Sequence, residues 1–223
     1  MPKPTAILSW SSGKDCAMAL YRTLEANQLE VVALLTTLSE RFRRVSMHGV
    51  REELLDLQAK SVGIPLEKVL IPYPCPNQIY EERMREVLSR WKKDGVTHVI
   101  FGDLFLEDIR NYREDNLAKL DLKPIFPVWG RDTANLAREM VQRGFRAVLT
   151  CVDPKKLDAS FAGRQFDDSL LTSLPLSADP CGENGEFHTF VYDGPIFKER
   201  IPIEVGESVC RDGFQFADLL LKQ

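Results

Sequence analysis

Short apolar runs alternate along the chain with longer stretches whose apolar residues recur at helical spacing. The first run is residues 5–9, with Ala6, Ile7 and Leu8 contiguous. Residues 14–26 follow, with Ala17, Leu20 and Leu24 on one helix face. Residues 31–38 are apolar without alternation, as in a strand covered on both faces of a parallel sheet. A helix over 50–62 shows Val50, Leu54 and Leu57 on one side, and Gly63 then Pro65 end it. Residues 68–71 form a short strand broken by Pro72, Pro74 and Pro76. Asn77 caps a helix striped by Tyr80, Met84, Val87 and Trp91, which Gly95 ends. A fourth strand spans 98–101, a helix lies near 109–120, and a fifth strand lies at 125–128. Asp132 caps a helix carrying Leu136 and Met140, and 147–152 is a sixth strand.

Strands alternating with helices of this length predict an α/β fold: a doubly wound parallel sheet with helices on both faces. Beyond about residue 153 the texture changes to short helices over 158–174 and a strand at 187–192. That strand turns at Asp193-Gly194-Pro195 into an extended stretch, 196–203. The tail from Gly213 fits either element type. The expected division is a main domain, 1–140, and a smaller α+β region, 141–223.

Composition narrows the class. With 44% hydrophobic and 28% charged residues, the 223-residue chain can bury a core in water. A net charge of −4 draws it to neither nucleic acid nor membrane, although Arg41, Arg43 and Arg44 make a local basic patch. No apolar run approaches the ~20 residues of a membrane helix, and the N-terminal residues read as leading directly into a strand. The five cysteines are scattered without a Cys-x-x-Cys pair, which argues against zinc and predicts reduced thiols in a cytoplasm. The segment 39–49, polar and basic after a strand end, reads as an ordinary loop or a cover over a site.

Candidate chemistry lies at two places. The first is 6–20, AILSWSSGKDCAMAL, a strand, a loop of small residues and a helix start. The first N–H groups of a helix lack intrahelical partners and attract anions. Ser11 and Ser12 add hydroxyls, Gly13 permits close approach, and Lys14 adds charge. An alternative is that Ser12 is merely an N-cap with Asp15 at the third position. A Walker A loop is excluded, because Leu8 stands where its first glycine belongs and Asp15 follows Lys14. Thr36 and Thr37, and Gly102 and Asp103, fall at other strand ends. Ligands of open α/β sheets bind there. The second place is 179–189, DPCGENGEFHT, with Asp179, Glu183, Asn184, Glu186 and His188 around Gly182 and Gly185. Spacing alone favours a solvated turn leading into a hairpin.

Ser11, Gly13, Lys14 and Asp15 resemble the Ser-Gly-Gly-x-Asp-Ser loop of PP-loop ATP pyrophosphatases, with Ser12 and Cys16 in place of the usual Gly and Ser. Residues 179–189 resemble throughout a signature of diphthine–ammonia ligases. His48, Gly102-Asp103, Arg110, Glu114 and Pro127-Val128-Trp129 fit the same family. The resemblance implies a Rossmann-like PP-loop domain that cleaves ATP between its α- and β-phosphates. It implies an acyl adenylate and its attack by free ammonia. Ser9, Ser11, Ser12, Gly13, Lys14, Asp15, Thr36, Gly102 and Asp103 would contact ATP, and Asp15 and Asp103 would hold Mg²⁺. Lys14, Asp15, Glu183, Glu186 and His188 would be catalytic. His48, Arg110, Glu114, Asn184 and Gly185 would bind substrate. Expected partners are ATP, ammonium and a carboxylate acceptor, either diphthine on elongation factor 2 or another. No membrane or direct nucleic-acid contact is expected, and a homodimer is among the possible assemblies. Two further readings stand beside this one: a nucleotide-binding regulator without turnover, and a PP-loop enzyme acting on tRNA.

Overall fold

The computed structural model describes residues 2–222. Strands β1 (Thr5–Ser9), β2 (Glu30–Ser39), β3 (Leu66–Ile71), β4 (His98–Ile100) and β5 (Lys123–Ile125) form a parallel sheet ordered β3-β2-β1-β4-β5. Helices α1 (Lys14–Ala26), α2 (Glu52–Val62), α3 (Asn77–Lys93) and α4 (Glu107–Ala118) connect them. Strand order reverses beside β1, between β2 and β4, so a crevice opens beyond their carboxyl ends. The start of α1 stands at that crevice.

The pleat of β1 shows why its three apolar residues are contiguous. Ala6 and Leu8 enter one core with Leu20 of α1 and Leu54 of α2. Ile7 points the other way, into a core with Leu88 of α3 and Leu117 of α4. Both faces are buried, so nothing along the strand needs to be polar. Truncating Leu8 or Leu54 to alanine would cost ~2–5 kcal/mol, as for any fully buried leucine.

A second sheet follows α5 (Thr133–Gln142). It consists of β6 (Arg146–Val152), β7 (Phe187–Asp193), β8 (Ile203–Arg211) and β9 (Phe214–Leu221), ordered β7-β6-β9-β8 and antiparallel throughout. A short helix, α6 (Asp168–Ser173), precedes β7. Phe187, Phe190 and Val191 of β7 share the core of α1, so the two sheets pack through one apolar interior.

Three elements differ from expectation. The fifth strand is Lys123–Ile125 rather than 125–128. It carries Pro124, which is tolerated because β5 is an edge strand. The sixth strand pairs with β7 and β9 and does not extend the parallel sheet. The expected stretch 196–203 is not a strand. Pro202 interrupts it, and the strand is β8, Ile203–Arg211. Asp212-Gly213, both at positive φ, then close a two-residue hairpin into β9.

Candidate active site

Ser11 to Asp15 turn from β1 into α1 at the carboxyl edge of the parallel sheet. Gly13 is the residue before the helix and makes no side-chain cap. Ser12 is therefore not the N-cap. It adopts φ 71°, a conformation costly for any residue with a Cβ. Its hydroxyl is buried without a hydrogen-bond partner. The Ser12 carbonyl accepts from Val191 N–H (3.0 Å) and from Gln58 Nε2 (3.0 Å). Gln58 is wholly buried, and its Oε1 accepts from Trp10 Nε1 (2.9 Å). Two elements distant in sequence thus hold the loop's backbone.

Gly102 and Gly13 have steric roles. A Cβ on Gly102 would lie 2.7 Å from backbone atoms of Asp15 and Cys16, so β4 ends directly against the first turn of α1. A Cβ on Gly13 would lie 2.8 Å from the ring of His48. Ser9 ends β1 opposite Leu35. Thr36 is buried and donates its hydroxyl to Trp10 O (2.6 Å), so that hydroxyl is committed to the backbone.

Lys14 turns inward. Its ammonium pairs with both carboxylate oxygens of Asp15 (2.9 and 2.8 Å), donates to the Cys181 carbonyl, and lies over the rings of Phe166 and Phe187 at 5.6 and 5.4 Å. Burial opposes its charge, but Asp15, Cys181 and Glu183 outweigh burial and raise its pKa, so it stays protonated. The backbone N–H of Lys14 donates to Thr189 Oγ1 (3.1 Å). The 179–189 segment is thus no solvated turn. It reaches the loop through Cys181, Thr189 and, just beyond it, Val191.

Inside that segment most polar groups serve one another. Asp179 Oδ1 accepts from the N–H groups of Cys181 (2.9 Å) and Glu183 (3.2 Å), and Oδ2 accepts from Thr133 Oγ1 (2.6 Å). Glu186 Oε1 accepts from Asp179 N–H (2.9 Å) and Asn184 Nδ2 (3.3 Å), while Glu186 Oε2 is buried without a partner. Gly182 and Gly185 sit at positive φ, as the double turn requires. Glu183 reaches across to the loop after β4, where its Oε1 accepts from Leu104 N–H (2.7 Å). Burial, joined by the charges of Asp15 and Asp103, pushes its pKa up to about 7, against the Leu104 N–H and Lys14.

His48 and His188 stack over the loop with ring centroids 4.7 Å apart. His48 Nδ1 lies 2.9 Å from the Thr189 carbonyl. A carbonyl only accepts, so Nδ1 carries the hydrogen and Nε2 is left as an acceptor. Burial pushes His48 down to about 4 and His188 well below its ordinary value, so both rings are neutral at pH 7. Cys16 is buried, which raises its thiol to about 11 and suits packing rather than nucleophilic attack.

The remaining expected residues lie apart. Asp103 is held bidentately by Arg113 of α4 (2.6 and 3.1 Å), a partner the sequence reading missed. Arg110 pairs with Glu114 (2.7 Å) and stacks on Trp129 and Phe126; no bond joins either residue to the loop or the turn among the described residues. Asp15 and Asp103, expected to hold Mg²⁺, both carry protein cations. No group of three or more His, Cys, Asp or Glu side chains suited to a metal occurs among the described residues. As they stand, the two carboxylates do not form a metal site.

The strap at 39–49 is tied to its neighbours by backbone and side-chain bonds. Val45 bridges back to Leu38, and Arg44 and Arg51 both bind Asp218 of β9 (2.7 and 2.6 Å). Beneath it lies a cavity of about 480 Å³, between the strap, the end of β3 and the β8–β9 hairpin. Among the described residues no helix is long and apolar enough to cross a membrane.

Comparison with known proteins fits this geometry. Residues 4–124 match the diphthamide synthase N-terminal domain, and 132–218 match the diphthamide synthase C-terminal domain. The diphthine–ammonia ligase of Danio rerio is 28% identical over 93% of this chain and 89% of its own. Those of Rattus norvegicus and Homo sapiens are each 27% identical over 93% of this chain and 85% of theirs. The two matched domains meet where the loop after β1 meets the 179–189 turn, and the chain belongs to the diphthamide synthase family.

Proposed function

We propose that the protein is an ATP-dependent, AMP-forming ligase that amidates the carboxylate of a diphthine-bearing acceptor with ammonia through an acyl adenylate. One observation carries the reading. The loop after β1 and the 179–189 turn are a single bonded unit, joined by Lys14 N–H to Thr189 and by Lys14 Nζ to Cys181. The similar ligases bear the matching name over nearly the whole chain.

The residues present suit a nucleotide's phosphates. The buried Ser12 hydroxyl lacks a partner, and the N–H groups of Asp15 and Cys16 lie in the first helical turn, where no intrahelical acceptor exists. Lys14 acts from beneath as a fixed, protonated charge that favours pyrophosphate as it leaves. An acceptor carboxylate oxygen would bond to the α-phosphorus as the bond to pyrophosphate breaks. Ammonia would then bond to the acyl carbon, and AMP would leave. Glu183, poised near pH 7, is the group we assign to take the proton ammonium must lose. His48 and His188, both neutral, close the loop from the other side and shield the adenylate from water. No step is routed through Mg²⁺, whose expected ligands are already paired.

The test is a product profile with ATP, ammonium and diphthine-bearing elongation factor 2. The expected result is AMP and pyrophosphate in step with amide, slowed in Ser12→Ala and in Glu183→Gln. ADP as the sole nucleotide product would overturn it. Tight ATP binding without turnover would point to a regulator.

A further inference from the structure

The 480 Å³ chamber beside the loop holds none of the catalytic residues named above, yet its size is that of a small-molecule site. Its outer wall is the β8–β9 hairpin. Alternate residues face inward, as the strand pleat dictates: Glu207, Val209 and Arg211 from β8, and Phe214, Phe216 and Asp218 from β9. The opposite wall supplies Phe42 and Tyr73, whose rings meet edge to face at 4.9 Å. Four aromatic rings therefore surround one space.

Charge narrows the ligand. Arg44 lines the chamber but is neutralised by Asp218. The Tyr73 hydroxyl donates to Asp212, which enriches its ring in electron density. Arg211 already lies over Phe42, 4.5 Å from the centroid, so this ring binds a cation supplied by the chain. Glu207 has no ion-pair partner among the described residues. The lining carries Glu207, Asp212 and Asp218 against Arg44 and Arg211, and aromatic faces beside this excess of carboxylate favour a bulky, weakly hydrated cation.

The chamber also has the right neighbour. Gly49 lines it and packs so closely on Phe216 that a Cβ would come within 2.7 Å of the ring. The preceding residue, His48, lies against Gly13 of the loop. One residue of strap therefore separates the chamber from the phosphate-type loop. A diphthine side chain ends in a carbon bearing both a trimethylammonium group and the carboxylate to be amidated. An ammonium seated in the chamber would keep the carboxylate on the same carbon, within two bonds of the nitrogen.

We propose that the chamber walled by Phe42, Tyr73, Phe214 and Phe216, with Glu207, is the acceptor site, and that it recognises the quaternary ammonium next to the reacting carboxylate. This rests on the ligase reading for the identity of the acceptor. It adds the site and the reason a trimethylated acceptor is preferred to an unmethylated one.

The probe is the free amino acid 2-(3-carboxy-3-trimethylammoniopropyl)histidine, compared by calorimetry with its primary-amine counterpart. Wild type should bind the trimethylated form about threefold more tightly, a margin in the range of a solvent-exposed cation–π contact. Tyr73→Leu with Phe214→Leu should erase that margin, and Glu207→Gln should reduce it. AMP affinity, measured on the same preparations, should hold, which shows that the variants are folded. Equal binding of the two forms by wild type would overturn the proposal. So would loss of AMP affinity in step with the probe, which would make the chamber the site of the nucleotide's base. AMP formation with diphthine-bearing elongation factor 2 that ignores these substitutions would sink the chamber and spare the ligase. Selective probe binding without AMP formation would do the reverse.

Discussion

The loop at 11–15 and the turn at 179–189 are both short, glycine-bearing and polar, but they use their polar groups in opposite ways. The turn satisfies most of them internally: Asp179 accepts from two backbone N–H groups and Thr133, and Glu186 accepts from Asp179 and Asn184. The loop leaves the buried Ser12 hydroxyl and the N–H groups of Asp15 and Cys16 unmatched. A segment whose donors are used up is a support, and one with donors to spare is a surface for a ligand. The turn supports the loop, and Lys14 and Thr189 are the joints. Substitutions at those joints should separate support from surface.

The largest effect is expected at Lys14. Lys14→Met leaves the Asp15 carboxylate without its cation and the Cys181 carbonyl without its donor. Breaking such a pair costs about 3 kcal/mol or more, read by urea unfolding. If loop and turn are one unit, AMP formation should disappear in the fraction that remains folded. Arg110→Ala removes the half-exposed pair with Glu114 and the stacking on Trp129 and Phe126, and should cost ~1–2 kcal/mol. Equal losses in the two variants would show that the buried joint holds nothing together.

Gly102→Ala comes next. Its Cβ would press on the backbone of Asp15 and Cys16, which cannot swing away as a side chain can. Overpacking of this kind costs ~1–3 kcal/mol, and it should displace the helix start enough to weaken ATP binding at least about tenfold. Unchanged ATP affinity, measured by calorimetry, would show that the first turn of α1 is not the phosphate site.

Glu183 tests the link by pH. Burial raises its pKa from the ordinary carboxylate range to about 7 in the folded chain. Between those two values the folded state binds the proton that the unfolded state has released. Stability from this group is therefore present at low pH and falls as pH rises towards about 7, then levels. Glu183→Gln should flatten that part of the stability curve in urea titrations from pH 4 to 8. At fixed ammonium, the wild-type rate of AMP formation should rise through pH 7, and the residual rate of the variant should lack the rise. A variant with the wild-type pH profile would remove Glu183 from both roles.

The sequence was legible where structure is local. The corner from β1 into α1, the alternation of strands and helices, and the density of polar groups at 179–189 all follow from spacing within a dozen residues. What escaped was partnership across the chain. Gln58 looks like an ordinary helical polar residue, yet it is wholly buried and binds Ser12, Val191 and Trp10. Its place one turn after Leu54, on the apolar face of α2, was the available signal. Arg113 gave no sign that it would claim Asp103. The chamber was missed because its wall was misread: Asp212-Gly213 between alternating residues is a strong two-residue hairpin signal, and it would have put Phe214 and Phe216 on one face.

The smallest effect is expected at Ser12, and it is the sharpest test of the contrast between loop and turn. Ser12 combines a left-handed backbone at φ 71° with a buried hydroxyl that binds nothing. Both features cost stability, and glycine removes both. Ser12→Gly should therefore stabilise the fold by up to ~1 kcal/mol, the usual relief at a left-handed position offset by glycine's extra unfolded-state freedom. Were the hydroxyl idle, ATP affinity would stay as it was. As a phosphate donor, its loss should weaken ATP binding several-fold while the unfolding midpoint rises. That opposite movement of stability and affinity marks a residue kept for its ligand. If both measurements rise, or neither moves, the loop is a second support like the turn, and the phosphates must be held elsewhere.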